Sequence, residues 1–271
     1  MGEEKVLGAT KIVNMLLGKP VLALLALLHI PPANPEYPIP NYFAMELIVV
    51  LIGILFFLWL KGRISPDHPG ATQQVTEFLI TNPMGVGVKD LVDDIVGHGA
   101  ERHIPILGTI GIFILLCNML ALVPGLMSPT ADKEVPLGCA LIVFIYYNRF
   151  GLGEHGVLGY AKTLMGPVPA ISPIMVIVET ISHFARLLSL TVRLWANMMV
   201  SELIYVSFLG LTLALFTFLG HWNAIGYASA VFPVAIPLAL ALFHVFEAVL
   251  QAFIFTILAT VYLGMAVAEE H

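Results

Sequence analysis

Residues 179–202 read ETISHFARLLSLTVRLWANMMVSE. The stretch lies inside a long apolar run, yet it carries Glu179, His183, Arg186, Ser189, Arg193, Asn197 and Glu202. Neither Gly nor Pro occurs from Ile174 to Leu209, so nothing punctuates a helix there. At about 100° per residue, Ser189, Arg193 and Asn197 fall on one stripe at i, i+4 and i+8. Glu202 stands nine residues beyond Arg193, about 180° round a helix and on the order of 13 Å further along it. One cation therefore faces one way and one carboxylate the other. An ionisable residue in a membrane helix costs at least about 2.5–3.5 kcal/mol, so its default reading is functional.

The totals set the medium. Of 271 residues, 59% are hydrophobic and 11% charged, against about 25% charged in a soluble domain. The chain is an integral membrane protein. Its net charge of -6 is scattered, and no basic cluster suits nucleic acid. Cys117 and Cys139 lie in apolar segments and read as small packing residues, without disulfide or metal spacing. No metal or cofactor is expected. An intramembrane hydrolase would need HExxH or GxSxG; His244-x-x-Glu247 has no third ligand at usable spacing. A secondary transporter would show Gly/Pro-broken helices at matching places in two halves, and the sequence has no such repeat.

Outward from the opening stretch, the pattern predicts an all-α polytopic membrane protein with about five crossings and a surface amphipathic helix. Phe43 to Leu60 is the first span and ends on Lys61 and Arg63. Ile104 to Val123 is the second, closed by Pro124-Gly125 and holding Asn118, which needs a partner. Val135 to Tyr147 is a short third span with Tyr146-Tyr147 at an interface, and 148–170 reads as a Gly- and Pro-containing loop. Pro173 to about Leu219 and Ser229 to Ala268 are two overlong helices joined by a turn at Gly220–Gly226. The first would be roughly 70 Å long, against a bilayer core of about 30 Å, so the pair must tilt or bend. Pro233 and Pro237 are candidate kinks in the second.

Between the first two spans, Val75, Phe78, Leu79, Val88, Leu91, Val92 and Ile95 keep helical spacing beside polar residues. They predict two short amphipathic helices within 70–100, broken near Pro83, Gly85 and Gly87. The N-terminal 1–40 is expected to be retained and surface-lying or re-entrant, because the apolar run Val21 to Leu28 is too short to cross. Residues 41–271 then form one membrane domain, with the long hairpin at 173–268. Lys61, Arg63, Lys89, Arg102, Arg149 and Lys162 fall on one side and Lys133 on the other. This favours N-terminus out and C-terminus in, against Lys5, Lys11 and Lys19. The short N-terminus without a presequence favours a bacterial plasma (inner) membrane. His98, His103, His155 and His271 read as solvated loop residues.

The last helix carries its own stripe, His244, Glu247 and Gln251 at i, i+3 and i+7. With Glu202 these groups form a candidate proton path, since His titrates near neutral pH. The alternatives are interhelical hydrogen-bonding glue for His244 and Gln251 and a structural ion pair for Glu202. Arg193 is always protonated and cannot relay protons. What it can do is attract a carboxylate and keep it ionised. Glu179, His183 and Arg186, one and two turns apart, pair with one another.

The run SLTVRLWANMMVSELI resembles the signature of subunit a of F-type ATP synthases, close to SLxLRLFGNMxxGEL. The tail HVFEAVLQAFIFTILATVYLGMA is similar to that family's last helix. NMLALVPG at Asn118–Gly125 resembles its NLLGLIPG, followed by the Pro129-Thr130-Ala131 loop. These motifs cover about 104–268 in order and spacing. The resemblance implies that Arg193 is the essential arginine facing the carboxylates of the rotating c-ring, with Ser189 and Asn197 as flanking polar positions. It implies that Glu202, His244 and Gln251 serve proton passage through the half-channel open to the outside. It further implies a stator with two offset half-channels, its long helices tilted against the ring, and as partners the c-ring, the peripheral stalk subunit b, protons and the bilayer. Choice between H⁺ and Na⁺ belongs to the ring carboxylate's surroundings. Glu247 is outside the family pattern, and its assignment rests on geometry alone. The family commonly has Gly where Ala196 and Ser201 stand and Pro where Leu187 stands.

Overall fold

The computed structural model describes residues 6–32, 34–65, 69–80, 87–97, 99–123, 125–165, 172–219 and 231–267. Within them the chain is helical, with no strand. Eight α-helices follow in order: α1 (Gly8–Leu27), α2 (Asn41–Lys61), α3 (Ala71–Ile80), α4 (Val88–Val96), α5 (Ile104–Leu120), α6 (Glu134–Met165), α7 (Ser172–Leu219) and α8 (Val231–Val267). Short 3₁₀ turns stand at Ala100–Arg102 and Pro129–Ala131. Five helices are long and apolar enough to cross a membrane: Gly8–Leu27, Asn41–Lys61, Glu134–Tyr160, Ser172–Leu215 and Ala235–Val267. Helix α5 is apolar but only 17 residues long.

The first long helix matches its expected bounds to within one residue; the expected ends of the second, Ser229 and Ala268, lie outside the described residues, and Val231–Val267 between them is helical. The turn expected at Gly220–Gly226 lies outside the described residues. So does most of the break between the amphipathic helices α3 and α4; Gly87 stands immediately before α4.

The helices gather into two compact units. One comprises Met1–Gly53, Leu115–Asp132 and Ala196–Leu250. Its N-terminal part differs from the sequence reading. The apolar run at 21–28 is the tail of a 20-residue helix, α1. Asn14 does not interrupt it, because its Nδ2 donates to the carbonyls of Thr10 (2.9 Å) and Ile39 (3.0 Å). The Ile39 N–H in turn donates to Asn14 Oδ1 at 2.9 Å. A buried amide with all its bonds made costs little. Lys11 and Lys19 stay exposed, and Asn41 Oδ1 accepts from the N–H of Leu7 ahead of the first turn.

The other unit comprises Ile54–Ile114, Lys133–Trp195 and Gln251–His271. The end of α8 is seated by glycines. A Cβ placed on Gly264 would meet Ile95 Cγ2 at 2.9 Å and Ile95 O at 3.0 Å, which brings α4 against α8. At Gly111 of α5 it would meet Thr256 Oγ1 of α8 at 2.5 Å. At Gly151 of α6 it would meet Tyr160 Cε2 at 2.7 Å and Ala266 O at 3.0 Å. Without a hydrophobic drive between helices in lipid, close backbone approach through small residues supplies the packing.

Those contacts correct the expected loop over 148–165; the rest of it, 166–170, lies outside the described residues. Helix α6 runs to a kink at the non-helical Gly156 (φ 67°, ψ 171°), and a second helical stretch follows to Met165. Gly151 is there to pack, so it does not end the helix. Tyr147 is buried, 1% exposed, within α6. His103, expected in a solvated loop, is fully buried. Its Nδ1 lies 2.8 Å from Tyr146 Oη, and its ring meets Phe150 edge-on. Burial, and then the neighbouring Arg102 guanidinium, hold its pKa below the usual histidine value. His155 is helical and half-buried, not in a loop, while His98 and His271 lie outside the described residues.

Candidate functional site

Helix α7 has a buried stripe and an open one. Leu190, Leu194, Met198 and Ser201 are buried, at i, i+4, i+8 and i+11 on one helix face. Ser189, Arg193 and Asn197 are exposed. The chain thus holds its charged residue on a helix face that its own residues leave uncovered, among exposed apolar neighbours such as Leu188, Val192 and Val200. Among the described residues no carboxylate comes within ion-pair distance of Arg193. What fixes this position is its backbone. Gln251 of α8 is 1% exposed, and its Nε2 donates to the Arg193 carbonyl at 2.9 Å. That bond ties the two long helices together at the level of the cation and leaves the guanidinium free to act elsewhere.

The remaining sequence candidates fall in the unit holding the later part of α7 and the earlier part of α8. Here the end of α5, the 128–130 turn, α7 and α8 share one polar network. Glu202 is half-buried and accepts the Ser128 N–H at Oε2, 3.2 Å away. No cation pairs with it among the described residues, so the ion-pair alternative gains no support. Ser128 Oγ donates to the Cys117 carbonyl (3.1 Å) and lies 2.7 Å from Thr130 Oγ1. The Thr130 hydroxyl donates to Asn118 Oδ1. His244 is 1% exposed; its Nε2 lies 3.1 Å from the Asn118 carbonyl oxygen and its Nδ1 2.8 Å from Ser201 Oγ. The Tyr205 ring lies 6.4 Å from the imidazole.

Glu247 is placed differently. Its Oε2 is buried and makes no hydrogen bond among the described residues. A buried, unpaired carboxylate oxygen is expensive, which sets Glu247 apart from a merely structural residue. Glu179, His183 and Arg186 do pair as expected, with Glu179 Oε1 3.2 Å from Arg186 Nη2 and 3.7 Å from His183 Nε2. Tyr147 Oη adds a contact to His183 Nδ1 at 3.2 Å.

Sequence reasoning missed Ser128, Thr130 and Ser201 as members of the network. The signal for Thr130 was present in the Pro129-Thr130-Ala131 motif. Ser201 was visible only as a departure from a common glycine, and nothing in its spacing announced the bond to His244.

A family model described as ATP synthase A chain matches residues 43–264, from within α2 to within α8. The chain belongs to the ATP synthase subunit a family. Among its relatives, ATP synthase subunit a of Koribacter versatilis (strain Ellin345) is 38% identical over 262 residues, covering 97% of each chain. The Solibacter usitatus (strain Ellin6076) protein of the same name is 37% identical over 234 residues, 86% of this chain and 90% of that one. The matched region includes every candidate residue on α7 and α8, and the first of these matches also takes in most of the N-terminal hundred residues.

Proposed function

We propose that this chain is the stator subunit that couples ion flow to rotation of a c-ring in the membrane sector of an ATP synthase. As a member of the subunit a family and a multi-pass membrane protein, it serves the proton-translocating membrane sector. The finer mechanism rests on its residues. A proton enters from outside along a polar path that includes Glu247, His244 and Glu202. It neutralises a ring carboxylate, which can then face lipid. After nearly a full turn that carboxylate meets a second half-channel, offset from the first and open to the cytoplasm, and releases the proton. Arg193 attracts the ionised carboxylate between the two half-channels, keeps it charged and blocks a direct leak. A guanidinium suits this role because it does not give up its proton. Asn197 and Ser189 flank it as polar positions, and Gln251 holds its backbone. The peripheral stalk subunit b would anchor the stator, with the N-terminus outside and the C-terminus in the cytoplasm of a bacterial inner membrane.

The observation that carries this reading is the exposed Arg193, with no carboxylate paired to it among the described residues, on an apolar face of α7. A charge so placed in a membrane needs a counter-charge from another chain. The test is ATP-driven acidification of inverted vesicles carrying Arg193→Ala, with passive leak measured on the same vesicles. Pumping is expected to vanish while the complex stays assembled. Pumping near the wild-type rate would end the proposal.

A further inference from the structure

We infer that Ser201 is the proton-handling partner of His244, exchanging protons at Nδ1, while the Asn118 carbonyl keeps the opposite nitrogen permanently protonated. This rests on the proton-path reading above and deepens it. The argument begins with what each partner can do. A backbone carbonyl only accepts, so the 3.1 Å contact at Nε2 is a bond donated by Nε2–H. Neutral imidazole carries one N–H, so Nδ1 is then the bare nitrogen. Ser201 Oγ, 2.8 Å from it, must donate. A hydroxyl can donate or accept; a carbonyl cannot. Only the serine side of the ring can accommodate both charge states without moving.

The proton balance follows. A water-borne proton arrives at Ser201 Oγ as the hydroxyl's own proton passes to Nδ1. The imidazolium then holds Nε2–H on the Asn118 carbonyl and Nδ1–H on Ser201 Oγ. Release reverses the step, and the ring ends in its starting tautomer. Asn118 is itself held by the Thr130 hydroxyl at Oδ1, and its Nδ2 reaches the Ala248 carbonyl at 3.5 Å. The fixed end is thereby braced from two elements. On the stretches of α7 and α8 that belong to this unit, the titratable groups around the pair are Glu202, Tyr205 and Glu247. None of them makes a hydrogen bond to the His244 ring among the described residues. Ser201 stands where the family commonly has glycine, so this hydroxyl is a feature of this chain beyond the shared motif.

Two measurements test it on the assembled complex. In the first, ¹⁵N spectra of labelled histidine, assigned with His244→Ala, should show neutral His244 protonated at Nε2 and bare at Nδ1. Ser201→Ala should leave that tautomer in place, because the carbonyl that selects it is unchanged. In the second, Ser201→Ala should slow ATP-driven acidification about fivefold, the factor given by loss of one ordinary hydrogen bond. It should also shift the pH profile of pumping, and Ser201→Thr should restore both. An Nδ1–H tautomer in the wild type overturns the inference. So does a Ser201→Ala rate and pH profile matching wild type while His244→Ala is defective. If His244→Ala also pumps normally, the proton path through this histidine fails as well, and the two failures are told apart.

Discussion

Replacing Gln251 by Leu separates a positioning residue from a conducting one. The side chain is buried and makes one bond among the described residues, from Nε2 to the Arg193 carbonyl at 2.9 Å. That carbonyl lies inside α7 and already accepts an N–H from one turn on. Losing Gln251 therefore orphans no backbone group, and leucine of similar size leaves little cavity. What disappears is one interhelical hydrogen bond, about 0.6 kcal/mol on average in membranes and at most about 1.7. If that energy holds Arg193 at the right depth, pumping should fall about threefold and no more than about twentyfold. Acidification of inverted vesicles, normalised to assembled complex, reads the rate directly. Arg193→Ala serves as the zero. Complete loss in Gln251→Leu, with the complex intact, would show that the amide conducts or contacts the ion, and the positioning argument would be wrong. A rate identical to wild type would show that the bond does not set the position of Arg193.

Other consequences are equally open to measurement. Gly264→Val should destabilise the detergent-solubilised protein by about 1–3 kcal/mol, because Ile95 backbone stands 3.0 Å from the new Cβ and cannot swing aside. Gly138→Ala, with nothing within 4 Å, should be neutral or slightly stabilising in the same thermal assay. His103 is buried with its pKa held below the usual value, so the folded state prefers it neutral. Its contribution is fully present above the unfolded value of about 6.5 and is lost as pH falls below that through the lower folded pKa. Thermal unfolding of wild type and His103→Gln between pH 7 and 5 should show a shallower pH dependence in the variant; equal slopes would refute the assignment.

Helix α7 was legible because Ile174 to Leu209 runs without Gly or Pro, which permits little else, and α8 because its apolar run is of helical length in spite of Pro237. The pairing of Glu179 with His183 and Arg186 was legible for the same local reason, since helix spacing alone brings them together. The glycines of α6 were not. Read singly, they punctuate; in the fold, Gly151 lets α8 approach to the Ala266 carbonyl, a fact that depends on a residue more than a hundred positions away. His103 was misplaced because its neighbours in sequence are polar, while its neighbours in space are Tyr146 and Phe150. Helix α1 was cut short because Lys11, Asn14 and Lys19 look hostile to lipid one at a time. The partner that satisfies Asn14, the backbone of Ile39, is invisible to periodicity. Of the candidate site, the charged and imidazole members were readable from type and spacing. Ser128, Thr130 and Ser201 were not, since a hydroxyl in an apolar segment is ordinary until its acceptor is known.

The uncovered arginine also bears on how the chain is made. A copy that inserts ahead of its partner must carry the Arg193 guanidinium into hydrocarbon, at a cost of at least about 2.5 kcal/mol, or distort α7 to let it snorkel. If the proposed ring carboxylate is its counter-charge, each newly synthesised copy is incomplete by one charge until that partner arrives. Under the proposed stator role, surplus copies become substrates of membrane quality control, and matched production of stator and ring becomes a condition of the subunit's lifetime as well as of its activity.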